Sequence, residues 1–475
     1  MKGIHLFTSL ILILILNETS AYANLIEEKP RIIVLTDIEN EPDDAQSLVR
    51  FLTYSNMFDV EGIIATTSVW LRNKTAEWRI YEILEAYKEV QPKLIHHEEG
   101  YPSYEELKSV VKTGVPKYGM TGVGEGQDSE GSEWIIKALK KDDTRPLWIL
   151  AWGGPNCLAQ ALWKLEQSAT PEELASYVKK LRVYTISDQD DSGPWMRRKF
   201  TDLFYICTPG YAHEGREGYH FATWSGISGD TFHGRFPGGN RVVISKEWIR
   251  ENIQEEHGSL GEEYPDVAYL MEGDTPSFLY MINNGLGSSE HPNYGSWGGR
   301  YEYYTPPTQL YFFEPETRPL WTNAVDEVYS DVDQQYHTGN HATIWRWREA
   351  FQNDFAARMD WCTRVYDEAN HPPVPALAHE QLIETTEGEN VILKAEGCSD
   401  PDGDALSYQW IYYREAGNSV YWLSLENEDK AEASFKAPTM GIPQEMHFIL
   451  EVTDDGAPAL TRYKRVIVKV IPKVN

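Results

Sequence analysis

Thr36-Asp37-Ile38-Glu39-Asn40-Glu41-Pro42-Asp43-Asp44-Ala45 sets five carboxylates within eight residues, directly after the apolar run of residues 31–36, RIIVLT. An unbroken run of that length reads as a strand buried on both faces. Residues 43–54 then carry Ala45, Leu48, Val49 and Leu52 at helical spacing. The same alternation continues downstream, with a strand expected at 60–67 and a helix at 75–90. Residues 147–152 (LWILAW) feed a Gly-Gly-Pro turn and a helix over 156–165, and 181–186 (LRVYTI) and 203–206 (LFYI) repeat the buried-strand pattern. Buried strands alternating with helices predict an α/β domain, a mostly parallel sheet flanked by helices. In such sheets the ligand crevice lies beyond the carboxyl ends of the strands, where the five acids fall.

Acids crowded on a crevice floor repel one another and raise each other's pKa values. A hard divalent cation removes that repulsion, and calcium takes six to eight oxygens in flexible geometry. Asp43 and Asp44 also suit a helix N-terminus, but five acids beyond one buried strand exceed what helix-start decoration needs.

The chain has 475 residues and a formal charge of −30, from 43 Lys+Arg against 73 Asp+Glu. That balance argues against nucleic acid, which requires clustered basic side chains. It argues equally against a polybasic membrane-surface role. With 41% apolar and 12% aromatic residues the chain can bury a large core. Residues 1–23 read as a cleaved secretory signal, with an apolar stretch at 6–16 and Ala21-Tyr22-Ala23 at the cleavage site; the expected location is secreted or periplasmic. That stretch is shorter than the about 20 residues needed to span a bilayer, and no membrane insertion is expected. Cys157, Cys207, Cys362 and Cys398 show no zinc-site spacing and are expected as buried thiols.

Residues 342–366 read as one long amphipathic helix, and 371–376, beginning His-Pro-Pro-Val-Pro, as a stiff linker. Beyond it, short alternating strands at 391–395, 406–413, 447–453 and 463–471 predict an immunoglobulin-like β-sandwich over 377–475. Asp400-Pro401-Asp402-Gly403-Asp404 departs from an EF-hand loop, lacking Gly at position six and Glu at twelve, and reads as a tight acidic turn.

The acidic loop resembles the calcium motif of nucleoside hydrolases, Asp-x-Asp-Pro-Gly-x-Asp-Asp-Ala. Asp37, Glu39, Asp43 and Asp44 take its four acidic positions. Trp152-Gly153-Gly154-Pro155-Asn156 resembles the segment whose Thr gives a carbonyl to calcium, with Asn156 at that position. Glu272-Gly273-Asp274-Thr275-Pro276 resembles the late segment that supplies another calcium carboxylate, here Asp274. More closely, WGGPN, ISDQDDSGPW, MEGDTPSFLY and NNGL make the chain similar to secreted bacterial proteins described as cellulose-binding, which join a nucleoside hydrolase-like domain to a C-terminal β-domain. That resemblance implies a nucleoside hydrolase-like domain over 24–370 and a Ca2+ site built from Asp37, Glu39, Asp44, Asn156 and Asp274. Three departures stand out: Glu for the water-activating Asp at 39, Asn40-Glu41 for Pro-Gly, and Gly273 for the His that helps a base to leave.

A glycosyl bond cleaves through an oxocarbenium-like state that needs an activated water and an acid at the leaving atom. Glu39 or Asp43 is the candidate base. Asp188, Asp190, Asp191 and Trp195, after the 181–186 strand, and Glu272 are the candidate substrate contacts, with Arg197 and Arg198 close behind. His220 and His233 are candidate proton donors; Trp70, Trp195, Trp224 and Trp297 offer sugar-stacking faces. The expected activity is a calcium-dependent hydrolase of a glycosyl bond, foremost a furanosyl one, on saccharide substrates. The alternative is a non-catalytic cellulose- or carbohydrate-binding protein that retains the fold. A saccharide or polysaccharide is the expected partner in either case.

Overall fold

The computed structural model describes residues 28–209, 218–307, 315–439 and 441–473; the expected signal segment lies outside them. Eight strands form the main sheet: β1 (Arg31–Thr36), β2 (Asp59–Ala65), β3 (Val111–Thr113), β4 (Leu147–Ala151), β5 (Leu181–Thr185), β6 (Phe204–Ile206), β7 (Tyr301–Tyr304) and β8 (Leu320–Asn323). Their order is β3-β2-β1-β4-β5-β6-β8-β7, parallel throughout except for β7 against β8. β1 shows why its sequence is unbroken in hydrophobicity. Ile32 and Val34 face a core layer that includes α1 (Pro42–Thr53) and α2 (Glu77–His97), while Ile33 and Leu35 face the layer of helices Glu130–Leu139 and Asn156–Ser168. With both faces covered, the polar residues of the β1, β4 and β5 exits gather at one edge of the sheet.

A hairpin of β9 (Asp326–Ser330) and β10 (Gln335–Gly339) follows. The C-terminal unit has a four-stranded sheet and a two-stranded one. The first is ordered β11-β16-β15-β13, built from β11 (Leu382–Thr386), β13 (Ser407–Tyr412), β15 (Gln444–Thr453) and β16 (Thr461–Ile471). The second pairs β12 (Asn390–Lys394) with β14 (Glu432–Lys436) around a shared apolar core. β11 and β14 were not among the expected strands: β11 buries none of its residues fully, and β14 alternates over only five residues, Ala433 and Phe435 facing inward.

The expected helix at 342–366 is instead two pieces, Ala342–Trp345 and Arg348–Asp360, and the longer one is not amphipathic. It lies between the two domains and is buried along most of its surface, with Glu349 exposed, so most of its charged residues are paired rather than solvated. Arg348 binds Asp230 at 2.9 Å, and Asp354 binds Arg462 of β16 at 2.6 Å. The stretch expected as a linker is docked. His371 is 3% exposed, stacked on Tyr366 and Trp361 and hydrogen-bonded to Asp402 of the sandwich.

Trp297, read as a sugar-facing aromatic, is buried at this junction and donates its indole N–H to Tyr463 of β16 at 3.1 Å. Tyr413, Ile449 and Tyr463 of the sandwich belong to the same apolar cluster as Trp297 and Trp347. Arg465 donates to the carbonyls of Leu286 and Tyr294. Burying an indole of roughly 200 Å² at about 25 cal/mol per Å² stabilises the junction by at most about 5 kcal/mol. No helix among the described residues is long and apolar enough to cross a membrane.

Candidate metal centre and crevice

The β1 exit bends at once. Asn40 N–H closes a turn on the Asp37 carbonyl at 3.1 Å, and Glu39 sits at φ +74°, a left-handed conformation that non-glycine residues rarely adopt. Pro42 then opens α1, where its fixed φ and missing N–H do no harm. Asp43 and Asp44 fall in the first turn, beside the positive end of the helix. Asp44 accepts a short hydrogen bond from Thr36, the last residue of β1. Two turns along α1, buried Arg50 grips Glu272 at 2.8 Å, and Tyr264 donates to the other Glu272 oxygen at 2.8 Å. That clamp fixes the loop that brings Asp274 back over the first turn of α1.

Asp43, Asp44 and Asp274 offer carboxylate oxygens that all lie within 4.8 Å of one another. Oδ2 of Asp274 is buried and has no hydrogen-bond partner. Asp37 completes the group, held so closely by Gly153 that a Cβ there would come within 2.6 Å of its Oδ1. Burial first, and then the neighbouring carboxylates, push Asp37 up to about 7 and Asp43 up to about 8. The same two causes hold Asp44 and Asp274 well above the usual carboxylate range. Four acids in this arrangement cannot all be ionised without a counter-charge. All-oxygen donors, one with an orphaned buried lone pair, fit a hard divalent cation such as calcium.

The acids floor a cavity of about 190 Å³. Trp70, Trp224 and Tyr269 supply aromatic wall, and His220, His233 and Arg235 bring nitrogen to the rim. The Trp224 indole donates to Ser187 at 3.0 Å, which fixes its plane. Burial, with Arg235 and His220 adding to it, holds His233 below the usual imidazole value. Gly273 explains its own identity: a Cβ would lie 2.7 Å from Asp43 and 3.1 Å from Trp224, so no side chain fits at that position without displacing an acid.

The sequence profile described as cellulose-binding Sde182, nucleoside hydrolase-like domain, matches residues 31–301, more than half of the chain. The chain belongs to this family. A second profile, the C-terminal domain of cellulose-binding protein Sde0182, matches residues 390–470. Among solved structures, a nucleoside hydrolase-related protein from Saccharophagus degradans, described as associated with carbohydrate metabolism, is 35% identical. The match covers 93% of this chain and 100% of that one, with a TM-score of 0.77. The PKD domain from KIAA 1837 protein is 21% identical over 21% of this chain and 88% of that chain, with a TM-score of 0.17. Human mucin-like protocadherin EC1-2 is 19% identical over 21% of this chain and 54% of that chain, with a TM-score of 0.16. No curated protein matches.

Within this Sde182-family crevice, Asp37, Asp43, Asp44 and Asp274 of the sequence-derived set come together. Glu39 does not join them: its left-handed backbone turns it outward, 3.3 Å from Arg79. Asn156, expected to give its backbone carbonyl, opens the helix Asn156–Ser168 and is not among the residues that line the cavity; its side-chain amide donates to the Lys117 carbonyl at 2.8 Å. Glu272, expected against substrate, is fully buried under Arg50.

The β5-exit acids are likewise occupied. Asp188 forms a two-pronged ion pair with Arg197, at 2.8 Å on each arm. Asp190 is fully buried and accepts from Ser192, and Asp191 accepts the Met120 N–H at 2.8 Å. Trp195 packs edge-on against Phe200, away from the cavity. The reading by sequence passed over Glu41, Gln189, Arg235 and Tyr269, which do line the cavity. Glu41 stood inside the acidic loop and Gln189 inside the ISDQDDSGPW stretch, so both were visible there; Arg235 and Tyr269 lie in segments without a local motif.

Proposed function

We propose that the crevice holds Ca2+ through Asp43, Asp44 and Asp274 and hydrolyses a glycosyl bond, foremost a furanosyl one, of a saccharide. The observation that carries this reading is the set of three carboxylates, Asp43, Asp44 and Asp274, assembled within 4.8 Å of one another at the floor of an aromatic-walled cavity, with Oδ2 of Asp274 buried and unpartnered. The association of the Saccharophagus degradans relative with carbohydrate metabolism, and the cellulose-binding description of the family, support a saccharide as ligand. Secretion, expected from residues 1–23, puts the site where calcium is plentiful.

Asp43, Asp44 and Asp274 would hold the ion, which would supply a water of lowered pKa and an anchor for the sugar hydroxyls. Asp43 is the least buried of the three clustered acids and faces the cavity, so it takes the proton as water adds to the anomeric carbon. His220 or His233, at the rim, gives a proton to the departing oxygen or nitrogen, which keeps the departing group neutral. Trp224 and Tyr269 bound the sugar ring, and Asp37 accepts a hydroxyl. A second reading, carbohydrate binding without turnover, is favoured by one observation: Glu39, at the position of the hydrolases' water-activating Asp, is held by Arg79.

Calcium titration by calorimetry, together with release assays on nitrophenyl furanosides, nucleosides and cello-oligosaccharides, tests both. Calcium-dependent release that disappears in Asp43→Asn supports the hydrolase. Calcium binding without release from any substrate, alongside retention on cellulose, establishes the binding protein instead.

A further inference from the structure

The sandwich carries a second group of carboxylates, distant in sequence from the crevice. Oxygens of Asp400, Asp402 and Asp404 lie within 4.8 Å of one another. Oδ1 of Asp400 accepts the N–H groups of Asp402 and Asp404, which fixes the loop, while its Oδ2 is buried without a hydrogen-bond partner. Burial and then the charges of Asp400, Asp455 and Asp402 hold Asp404 above the ordinary aspartate value.

An independent observation comes from the opposite side of the loop. Asp454, just after β15, is 4% exposed. Its Oδ1 takes three N–H donors, from Asn370, Gly456 and Leu460, yet its Oδ2 is buried and unpartnered. Its carboxyl is raised by burial and sits close enough to feel the Asp400 charge. Asn370 is 6% exposed, and its amide nitrogen donates to both Asp454 and the Pro458 carbonyl. That pair of bonds fixes the amide's orientation and leaves Oδ1 buried with no donor. Three buried oxygens that can only accept therefore occur on or next to one acidic loop: Asp400 Oδ2 in it, Asp454 Oδ2 on a carboxylate that feels the Asp400 charge, and Asn370 Oδ1 on the amide bonded to Asp454. A cation satisfies several acceptors at once, and a site of oxygens alone selects a hard one.

We propose that Asp400, Asp402, Asp404, Asp454 and Asn370 form a second calcium site, which fastens the sandwich to the segment leaving the α/β domain. Asn370 belongs to that segment and the four aspartates to the sandwich, so one ion bridges both. Asp402 is already tied across the same junction through the His371 N–H and ring at 2.7 and 3.0 Å. The site is independent of the crevice and of any reaction there.

The test uses the full mature chain with calcium as the probe and Asp274→Asn to silence the crevice. In that background one calcium is expected to bind and to raise the melting temperature by at least about 2 °C. Adding Asp400→Asn and Asp404→Asn is expected to weaken it by about 100-fold and to remove the shift. Unchanged melting in chelator shows that the added variants fold, and Asp404→Asn alone, at a partly exposed side chain, provides a milder check. If Asp274→Asn binds no calcium while the wild type binds one ion, the junction site is overturned and the crevice site stands. Undiminished binding in the triple variant also overturns it.

Discussion

The loops that leave β1 and β5 are both crowded with aspartate, both follow buried parallel strands, and the fold treats them in opposite ways. After β5, each acid accepts at least one hydrogen bond from the protein, although Oδ2 of buried Asp190 is left without one. Arg197 grips Asp188 with both arms, Ser192 donates to Asp190, and a backbone N–H from residue 120 reaches Asp191. After β1, Asp44 receives the Thr36 hydroxyl, and carboxylate oxygens of Asp43, Asp44 and Asp274 lie within 4.8 Å of one another. The density of acids is similar; what differs is that buried Arg197 neutralises Asp188 after β5, whereas after β1 the acids of the cluster face one another. A cluster becomes a candidate site when its acids are set against one another.

The contrast can be broken experimentally, and the largest effect belongs to the β5 loop. Arg197→Met strands buried Asp188 and Glu316, and its denaturant midpoint should report a loss of about 3–5 kcal/mol. Calcium affinity in the crevice should not change; a variant as stable as the wild type would show that the β5 acids are not structural.

Next comes the β1 side. Asp44→Asn or Asp274→Asn should weaken calcium binding at the crevice about 100-fold while leaving stability in chelator equal or higher by about 1 kcal/mol, since a repulsion is removed.

The pH dependence follows in size. Asp37 and Asp43 have folded values of about 7 and about 8, above their unfolded value of 3.8. Between these limits the folded chain holds more protons than the unfolded one, so cation-free stability falls as pH rises from about 4 to about 8. Melting curves in chelator should show that decline, and saturating calcium should flatten it. The smallest change is Glu39→Gln. Its ion pair with Arg79 is partly exposed, so stability should move by no more than about 0.5 kcal/mol and calcium affinity should be kept. A large loss of affinity would mean that Glu39 turns inward when the ion binds.

Much of this fold can be read from local pattern. The runs at 31–36, 147–152 and 181–186 could only be buried strands, and the acids after the first of them named the crevice. What escaped the sequence was partnership over distance. Arg50 and Glu272 lie 222 positions apart, and nothing near Glu272 announces that it will be clamped rather than exposed. The helix Arg348–Asp360 was misread because its charges imitate a solvated face, whereas Asp230 and Arg462 neutralise them from other elements. Glu39 was misplaced because a motif alignment carries no backbone angles. The prolines after His371 were read for stiffness, but the stacked ring of His371 decides that the segment is docked.

The continuity of apolar packing from Trp297 through Tyr463 also bears on how separable the two halves are. Here the 272–301 stretch carries Asp274 near one end and the Trp297 anchor near the other, while Asn284 and Leu286 between them bond to β16. Shuffling either half away would expose an indole and loosen an acid in the same event. Each half thus completes the buried surface of the other.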